Sequence, residues 1–246
     1  TNNYINCYRF MRPIISLLIL VLYSISAFSQ PFDRDFDNAG GTSNWSESGN
    51  WVGGNIADDN EDIAYLLANP IVDADFTINQ LRITGAAANT TISGANTLTI
   101  DIDLTGTGAA NGIRHQANSG VSMLFTADVV IDNSAGSGAS TRIQSENNAA
   151  NDITFNNTLT INTPVILRAF AGTQIFLNGN IEGASNLTFG HNSNLTTFGS
   201  SANNTGFTGS FTVFTTDVVS NTTVVGGLLP SGLELRYVAN ATGGSI

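Results

Sequence analysis

The chain has 246 residues, of which only 11% are charged, and its 19 acidic residues outnumber eight basic ones to give a formal net charge of −11. All eight basic residues are arginines, and so acidic a chain lacks the cations that bind phosphate, so we expect no nucleic-acid partner. The scarcity of charge argues against a coiled coil, and the single cysteine excludes a disulfide framework and a cysteine-based zinc site.

Residues 1–29 have the pattern of a secretory signal peptide. Two arginines precede the apolar run Ile14–Ile25, which is shorter than the roughly 20 residues that span a bilayer, and small residues follow it. We predict cleavage between Ser29 and Gln30, and export to the exterior or the outer surface of a bacterium. Residues 1–10 are a candidate extension upstream of the native start.

Residues 30–62 are predicted to form an acidic N-terminal leader or cap. Its first acids alternate with the spacing of the first three ligands in a calcium loop, which makes them weak calcium candidates: Asp33, Asp35 and Asp37. The loop pattern then fails where it requires a glycine and, later, a glutamate. We therefore expect a solvated acidic segment without bound calcium, and a second polar loop at Asp58–Asp62.

From Ile63 onward, alternation of apolar and polar residues predicts β-strands rather than helices. Clusters of Gly, Asn and Ser between the alternating runs predict turns. The predicted strands are Phe76–Thr84, Thr97–Leu104, Val121–Phe125, Asp128–Asp132, Asp152–Phe155, Thr158–Asn162, Val165–Phe170, Gln174–Leu177, Phe207–Phe214, Thr222–Val225 and Leu233–Val238.

A short unit recurs along this region. The sequence Asn-Thr-Leu-Thr-Ile occurs at Asn96–Ile100 and again at Asn157–Ile161. Recurrence favours an all-β parallel solenoid, or β-helix, over residues 63–246, with a β-sandwich as the alternative. In a solenoid, equivalent residues stack about 4.8 Å apart, where like charges repel and Asn and Thr stack well. Coils of roughly 20 residues would give about nine coils.

One stretch resembles a known repeat. The matching positions are Gly183, Leu187, Thr188, Gly190, Leu195, Thr196, Asn204, Thr205, Phe207, Thr208 and Gly209. The pattern is similar to the autotransporter-associated β-strand repeat of bacterial secreted and surface passengers, although this chain has an extra Gly206 and has Phe189 where the family often carries lysine. Trp45-Ser46 and Asn50-Trp51 also look like the opening segment of such passengers.

The resemblance implies a right-handed parallel β-helix that acts as a stalk or adhesive surface. Such passengers usually continue into a separate C-terminal translocation or sorting module, so we expect residues 63–246 to be truncated at the C-terminus. Contact with a membrane is expected only through that missing module. The expected partner is an extracellular surface, matrix or glycan whose identity the sequence does not specify.

Few residues suggest catalysis. Asp101 and Asp103 share one predicted strand face and could act as a glycosidic acid–base pair. The histidines, His115 and His191, are expected on surface turns, and without lysine no P-loop is possible. The six arginines after the signal peptide are widely separated in sequence. We therefore expect no catalytic residue and no cofactor, with a β-helix polysaccharide lyase or glycoside hydrolase as the alternative function.

Overall fold

The computed structural model describes residues 32–85, 88–102, 110–116, 120–135, 140–146, 151–170, 173–189, 196–198, 206–215 and 235–239. All of these residues belong to one compact unit, Phe32–Ile246. The predicted signal peptide and its cleavage site at Ser29 and Gln30 lie outside the described residues.

Nearly all regular structure in the described part is β-strand. Two single 3₁₀ turns, Ser48–Asn50 and Val52–Gly54, precede the second strand. The strands are β1 Phe32–Phe36, β2 Asp62–Leu66, β3 Phe76–Ile78, β4 Gln80–Ile83, β5 Thr90–Ile92, β6 Thr97–Asp101, β7 Ala110–His115, β8 Met123–Phe125, β9 Asp128–Asp132, β10 Thr141–Ser145, β11 Ile153–Phe155, β12 Leu159–Ile161, β13 Val165–Ala169, β14 Ile175–Leu177, β15 Ile181–Glu182, β16 Leu187–Phe189, β17 Thr196–Phe198, β18 Phe211–Thr215 and β19 Leu235–Ala239.

The strands form three sheets, and each pairing between these strands is parallel. Sheet I has the order β1-β2-β4-β7-β10-β13-β16-β18-β19, sheet II the order β17-β14-β11-β8-β5, and sheet III the order β15-β12-β9-β6-β3. The chain visits the sheets in turn, since β4 lies in sheet I, β5 in II, β6 in III and β7 again in I. None of the described sheets closes on itself. The all-β prediction is confirmed, and parallel pairing differs from the antiparallel sheets of a sandwich.

Columns of stacked apolar side chains fill the space behind the strands. In sheet III, Leu98 pairs with Val129, which pairs with Leu159, and all three are buried. In sheet II, the rings of Phe125 and Phe155 stack 4.7 Å apart and nearly parallel. In each column the apolar residues of the alternating pattern are buried, so the alternation seen in the sequence produces the hydrophobic core.

The predicted repeat of roughly 20 residues fits some strand pairs and not others, since the spacing between register partners runs from 17 positions for Ile63 and Gln80 to 33 for Thr90 and Met123. Register partners are 22 positions apart for Leu159 and Ile181 and 31 positions apart for Leu98 and Val129. The strands themselves stay at two to six residues. The additional residues therefore lie in the connections, whose length the strand pattern does not reveal.

The predicted strand Phe76–Thr84 is wrong, because the chain turns a corner inside it. Strand β3 belongs to sheet III and β4 to sheet I. Ile78 and Asn79 are both buried, which breaks the alternation at the junction. The Asn79 side-chain amide donates to the Asn60 carbonyl at 2.7 Å, which gives this buried polar group a hydrogen-bond partner at the corner. The strands that were not predicted include β1, β5, β7, β10, β15, β16 and β17. The predicted strand Thr222–Val225 lies outside the described residues.

The segment 32–62 packs around three aromatic side chains, while its acids Asp33, Asp35 and Asp37 are exposed. Strand β1 pairs with β2, and the side chains of Phe36, Trp45 and Trp51 are buried against one another. The indole of Trp45 donates to the Ala57 carbonyl, and that of Trp51 donates to the Trp45 carbonyl, both at 2.7 Å. The paired tryptophans therefore cover the end of the apolar columns with their polar atoms satisfied.

Three aspartates at the start of strands, here called the strand-start aspartates, link successive repeats. Asp75 accepts the main-chain N–H of Thr97, Asp128 that of Thr158, and Asp152 that of Gln174, at 2.9, 3.0 and 2.8 Å. Each acceptor lies in one repeat and each donor at the start of the neighbouring strand of the same sheet. Part of the acidity of the chain therefore serves the fold.

Candidate functional site

Several residues of the repeat motif that the structure describes have a packing role. Leu187 in β16 and Phe207 are buried. Gly183 has a φ of +103°, and a Cβ there would lie 2.2 Å from the Ile161 carbonyl oxygen. The amide of Thr208 donates to the Gly183 carbonyl. Thr188 lies in β16, Thr196 lies in β17, and a Cβ at Gly209 would collide with the Ser185 carbonyl oxygen; Gly190, Leu195, Asn204 and Thr205 lie outside the described residues.

The calcium candidates do not form a loop. Asp33 and Asp35 belong to the extended strand β1 and are exposed, and Asp37 follows it and accepts the amide of Ala39. Extended backbone separates the alternate carboxylates along the strand. The structure therefore does not bring the three acids around a common point.

A different acidic group does come together in the described part. The carboxylate oxygens of Asp58, Asp59 and Asp62 lie within 4.8 Å of one another. Asp62 is buried, receives the Arg34 Nε at 2.8 Å and accepts the amide of Asp58. Burial raises the pKa of Asp58, and the charges of Asp62 and Asp59 raise it further. Arg34 and the main chain already supply partners for Asp62, so the group fixes the start of β2.

The residues considered for catalysis are structural where they are described. His115 lies in β7 and is fully buried, with Nε2 2.6 Å from the Val121 carbonyl oxygen, so its predicted place on a surface turn is wrong. Burial lowers the pKa of His115 and favours the neutral ring. Asp101 accepts the amide and the hydroxyl of Ser134 at 2.8 and 2.6 Å. Asp103 and His191 lie outside the described residues.

The arginines, scattered in sequence, are gathered by the fold. All six arginines after residue 31 lie on strands of sheet I: Arg34 on β1, Arg82 on β4, Arg114 on β7, Arg142 on β10, Arg168 on β13 and Arg236 on β19. Sequence reasoning missed this grouping. The sequence did contain a signal for it. The arginines of β4, β7, β10 and β13 each lie within a short β-prone run, and they follow one another at intervals close to the repeat length.

Five neighbouring strands of sheet I carry a polar row in direct register, here called the arginine row. Alternation places it on the outer face, because Leu81 and Ile83 beside Arg82 are buried, as are Leu167 and Ala169 beside Arg168. Successive positions are about 4.8 Å apart in a parallel sheet. The row consists of Tyr65, Arg82, Arg114, Gln144 and Arg168.

Arg82 is held in place by neutral groups. Its Nε and Nη2 donate to the Gln80 side-chain oxygen at 3.1 and 2.5 Å, and its Nη1 donates to the Tyr65 hydroxyl at 3.0 Å. Its guanidinium lies 5.7 Å from the centre of the Tyr65 ring. The described residues place no carboxylate within ion-pairing distance of it. The charge is therefore oriented but not neutralised.

Arg114 is the one member of the row with an acidic partner in the described part. Its Nε and Nη2 donate to the two oxygens of Glu146 at 2.9 and 3.0 Å. Gln116 and Gln144 donate to the same carboxylate. Burial alone would raise the pKa of Glu146, but these hydrogen bonds and the Arg114 charge outweigh it and hold the pKa below its ordinary value. Glu146 is therefore an ionised, fully engaged acceptor.

Arg142 and Arg168 complete the face. The Arg168 guanidinium lies 4.6 Å above the Phe170 ring, and its Nη1 donates to Gln144 at 3.4 Å. Its Nε is buried without a hydrogen-bond partner in the described part. Burial lowers the pKa of Arg168 and the charge of Arg142 lowers it further, against the opposing effect of Glu146. Two like charges thus stand close together on this face.

Comparison with known proteins adds no identity. No family model matches the chain, and no curated protein or solved structure is significantly similar to it. Within the described residues, no helix has the length and apolarity needed to cross a bilayer. The function of the outer face of sheet I is therefore inferred from its own residues and contacts.

Proposed function

We propose that the protein is an exported, non-catalytic module of a bacterial surface, acting as a stalk or adhesive. In this proposal the three parallel sheets belong to a right-handed β-helix, and the outer face of sheet I binds an extracellular glycan. The parallel register and the repeated visits to three sheets support the β-helix. The sequence resemblance to passenger repeats and the predicted signal peptide support export and a surface location.

The observation that carries the binding proposal is the arginine row. Arg82 and Arg114 are direct cross-strand neighbours, and like charges in that position destabilise a sheet. The chain has few charged residues, yet these two arginines lie where like charges disfavour the fold. Departures of this kind from local rules are expected where a surface has a function.

The same face argues for binding rather than hydrolysis. Canonical glycosidic cleavage uses two carboxyl groups, one of them a proton donor with a raised pKa. Glu146 is the carboxylate that contacts the arginines of the row, and its pKa is lowered by its partners, while Asp35 lies beyond Tyr65 on the edge strand β1. Glu146 is therefore an ionised hydrogen-bond acceptor held in place by its partners, and it has no proton to give to a leaving group.

A panel of polysaccharides tests this proposal. The full chain would be passed over immobilised neutral and acidic glycans, with retention and the release of reducing ends measured together. We expect retention on at least one glycan without new reducing ends or unsaturated products. Absence of retention on every glycan would overturn the adhesive role, and steady release of cut product would favour the lyase or hydrolase alternative.

A further inference from the structure

The outer face of sheet I is locally cationic in an anionic protein. Its strands β4 to β13 carry Arg82, Arg114, Arg142 and Arg168 against one carboxylate, Glu146, and the other acids of the described face, Asp33 and Asp35, lie on the edge strand β1. The chain as a whole has a formal net charge of −11. A positive surface surrounded by negative charge directs anionic ligands to that surface and away from the rest of the molecule.

The donors that remain on this face fit carboxylates. A guanidinium has five N–H groups, and Arg82 directs one from each nitrogen to Gln80 or Tyr65. One N–H on each terminal nitrogen is left, which is the fork that binds a carboxylate through two parallel hydrogen bonds. Arg114 gives Nε and Nη2 to Glu146, so both N–H groups of its Nη1 are left.

The spacing of these donors favours a polymer over a small anion. The register places Arg82, Arg114 and Arg168 within four adjacent strands, with the buried Gln144 between the last two, which spans about 14 Å at the parallel-sheet spacing. A linear chain of sugar acids repeats its carboxylate at intervals that such a row can meet more than once. Several weak contacts on one chain combine into much tighter binding than any single contact provides.

We propose that the arginine row, together with Arg142, is a binding site for a polysaccharide that carries carboxylates at regular intervals, with the sugar chain lying across the strands of sheet I. This inference rests on the proposed adhesive function and adds the ligand class to it. Arg82 and Arg142 supply charge without acidic partners among the described residues, and Tyr65, Gln80 and Phe170 orient the guanidiniums.

The test compares polygalacturonate with its fully methyl-esterified form, which has the same backbone without the charges. Titration calorimetry on the full chain is expected to detect binding of polygalacturonate and at least tenfold weaker binding of the ester. Each of R82Q and R142Q is expected to weaken the binding of polygalacturonate about tenfold, because each removes a hydrogen bond between charged groups. Digalacturonate should bind far more weakly than the polymer.

Two controls match the change in net charge. R34Q removes an arginine whose partner is Asp62, and T99D adds a negative charge on a different sheet; both should bind polygalacturonate like the unchanged protein. Circular dichroism and thermal unfolding establish that each variant is folded. If R34Q does not fold, T99D alone carries the comparison.

Several outcomes would overturn the inference. Equal binding of the ester would show that carboxylates are not read, while leaving a glycan-binding function in place. Equal and competing binding of dextran sulfate would show simple ion exchange, and a loss with T99D equal to that with R82Q would show a net-charge effect. Absence of polygalacturonate binding would reject this ligand class, and the glycan panel would then decide the adhesive function separately.

Discussion

The starts of the strands and the outer face of sheet I carry opposite charges and use them differently. Each strand-start aspartate accepts a main-chain N–H of the next repeat. On the outer face, Arg82 and Arg142 have no carboxylate partner among the described residues, and Arg82 stands beside Arg114. The aspartates therefore have a direct structural role, whereas Arg82 and Arg142 form no ion pair with a described residue.

This difference separates what a stacked fold requires from what it tolerates. A carboxylate at a strand start satisfies a backbone donor that would otherwise need another partner. A guanidinium opposite another guanidinium has no comparable benefit for the sheet. Substitutions in the two regions should consequently have unequal effects on stability, and the expected effects decrease from the turns to the outer face.

The largest loss of stability is expected at the turn after β15. Gly183→Ala places a Cβ 2.2 Å from the Ile161 carbonyl oxygen at a φ of +103°, and we expect a loss of about 3 kcal/mol or more in urea unfolding. Gly41→Ala is the matched control, since Gly41 also has positive φ but has open space around it. Equal losses in the two variants would show that backbone strain, and not the close approach of repeats, decides the effect.

A strand-start aspartate should contribute less. Asp128→Ala leaves the Thr158 amide without its acceptor, and we expect a loss of about 1–2 kcal/mol in the free energy of unfolding. Asp128→Asn keeps an acceptor oxygen and should lose clearly less. If both variants unfold at the same urea concentration as the unchanged protein, the link between repeats contributes nothing.

The one engaged acid on the outer face should give a small effect that depends on pH. Because the pKa of Glu146 is lowered in the folded state from its ordinary value of about 4.5, its contribution is present above that value and is lost as pH falls through the folded-state pKa. The stability difference between the unchanged protein and Glu146→Gln should therefore be seen at neutral pH and vanish in acid. A difference that grows on acidification would contradict the assigned contacts.

The smallest effect is expected for Arg142, which has no acidic partner in the described part and stands near Arg168. Arg142→Gln should change the free energy of unfolding by no more than about 0.5 kcal/mol, as is usual for surface positions. Thermal unfolding at low and high salt provides the measurement. A marked loss at low salt would reveal a stabilising ion pair.

The strands were predicted well from the sequence where the alternation of apolar and polar residues was uninterrupted. The predicted strand Asp128–Asp132 coincides with β9, and the predicted strand Val165–Phe170 exceeds β13 by one residue. The prediction missed the corner at Asn79, although the alternation shifts phase there, with the buried residues Ile78 and Leu81 three positions apart. The edge-to-face packing of Trp45 and Trp51 was likewise not predicted, although the sequence analysis noted both residues.

The arginine row could not be predicted from the sequence alone. Arg82 and Arg114 are 32 positions apart and become neighbours only through the pairing of β4 with β7. That register depends on the length of the intervening connections, and the alignment of Arg114 with Gln144 depends in addition on a register shift between β7 and β10. Strand patterns fix which side of a sheet a residue faces, but they do not fix which residues of distant strands lie side by side.

The most direct test compares two double variants by thermal unfolding under the same conditions. D75A/D128A removes two strand-start aspartates, and R82Q/R142Q removes two arginines of the outer face. Net charge alone would stabilise the first variant and destabilise the second, since the chain carries −11. We expect the reverse: a loss of about 2 kcal/mol or more for D75A/D128A and almost no change for R82Q/R142Q. A larger loss in R82Q/R142Q would contradict the account.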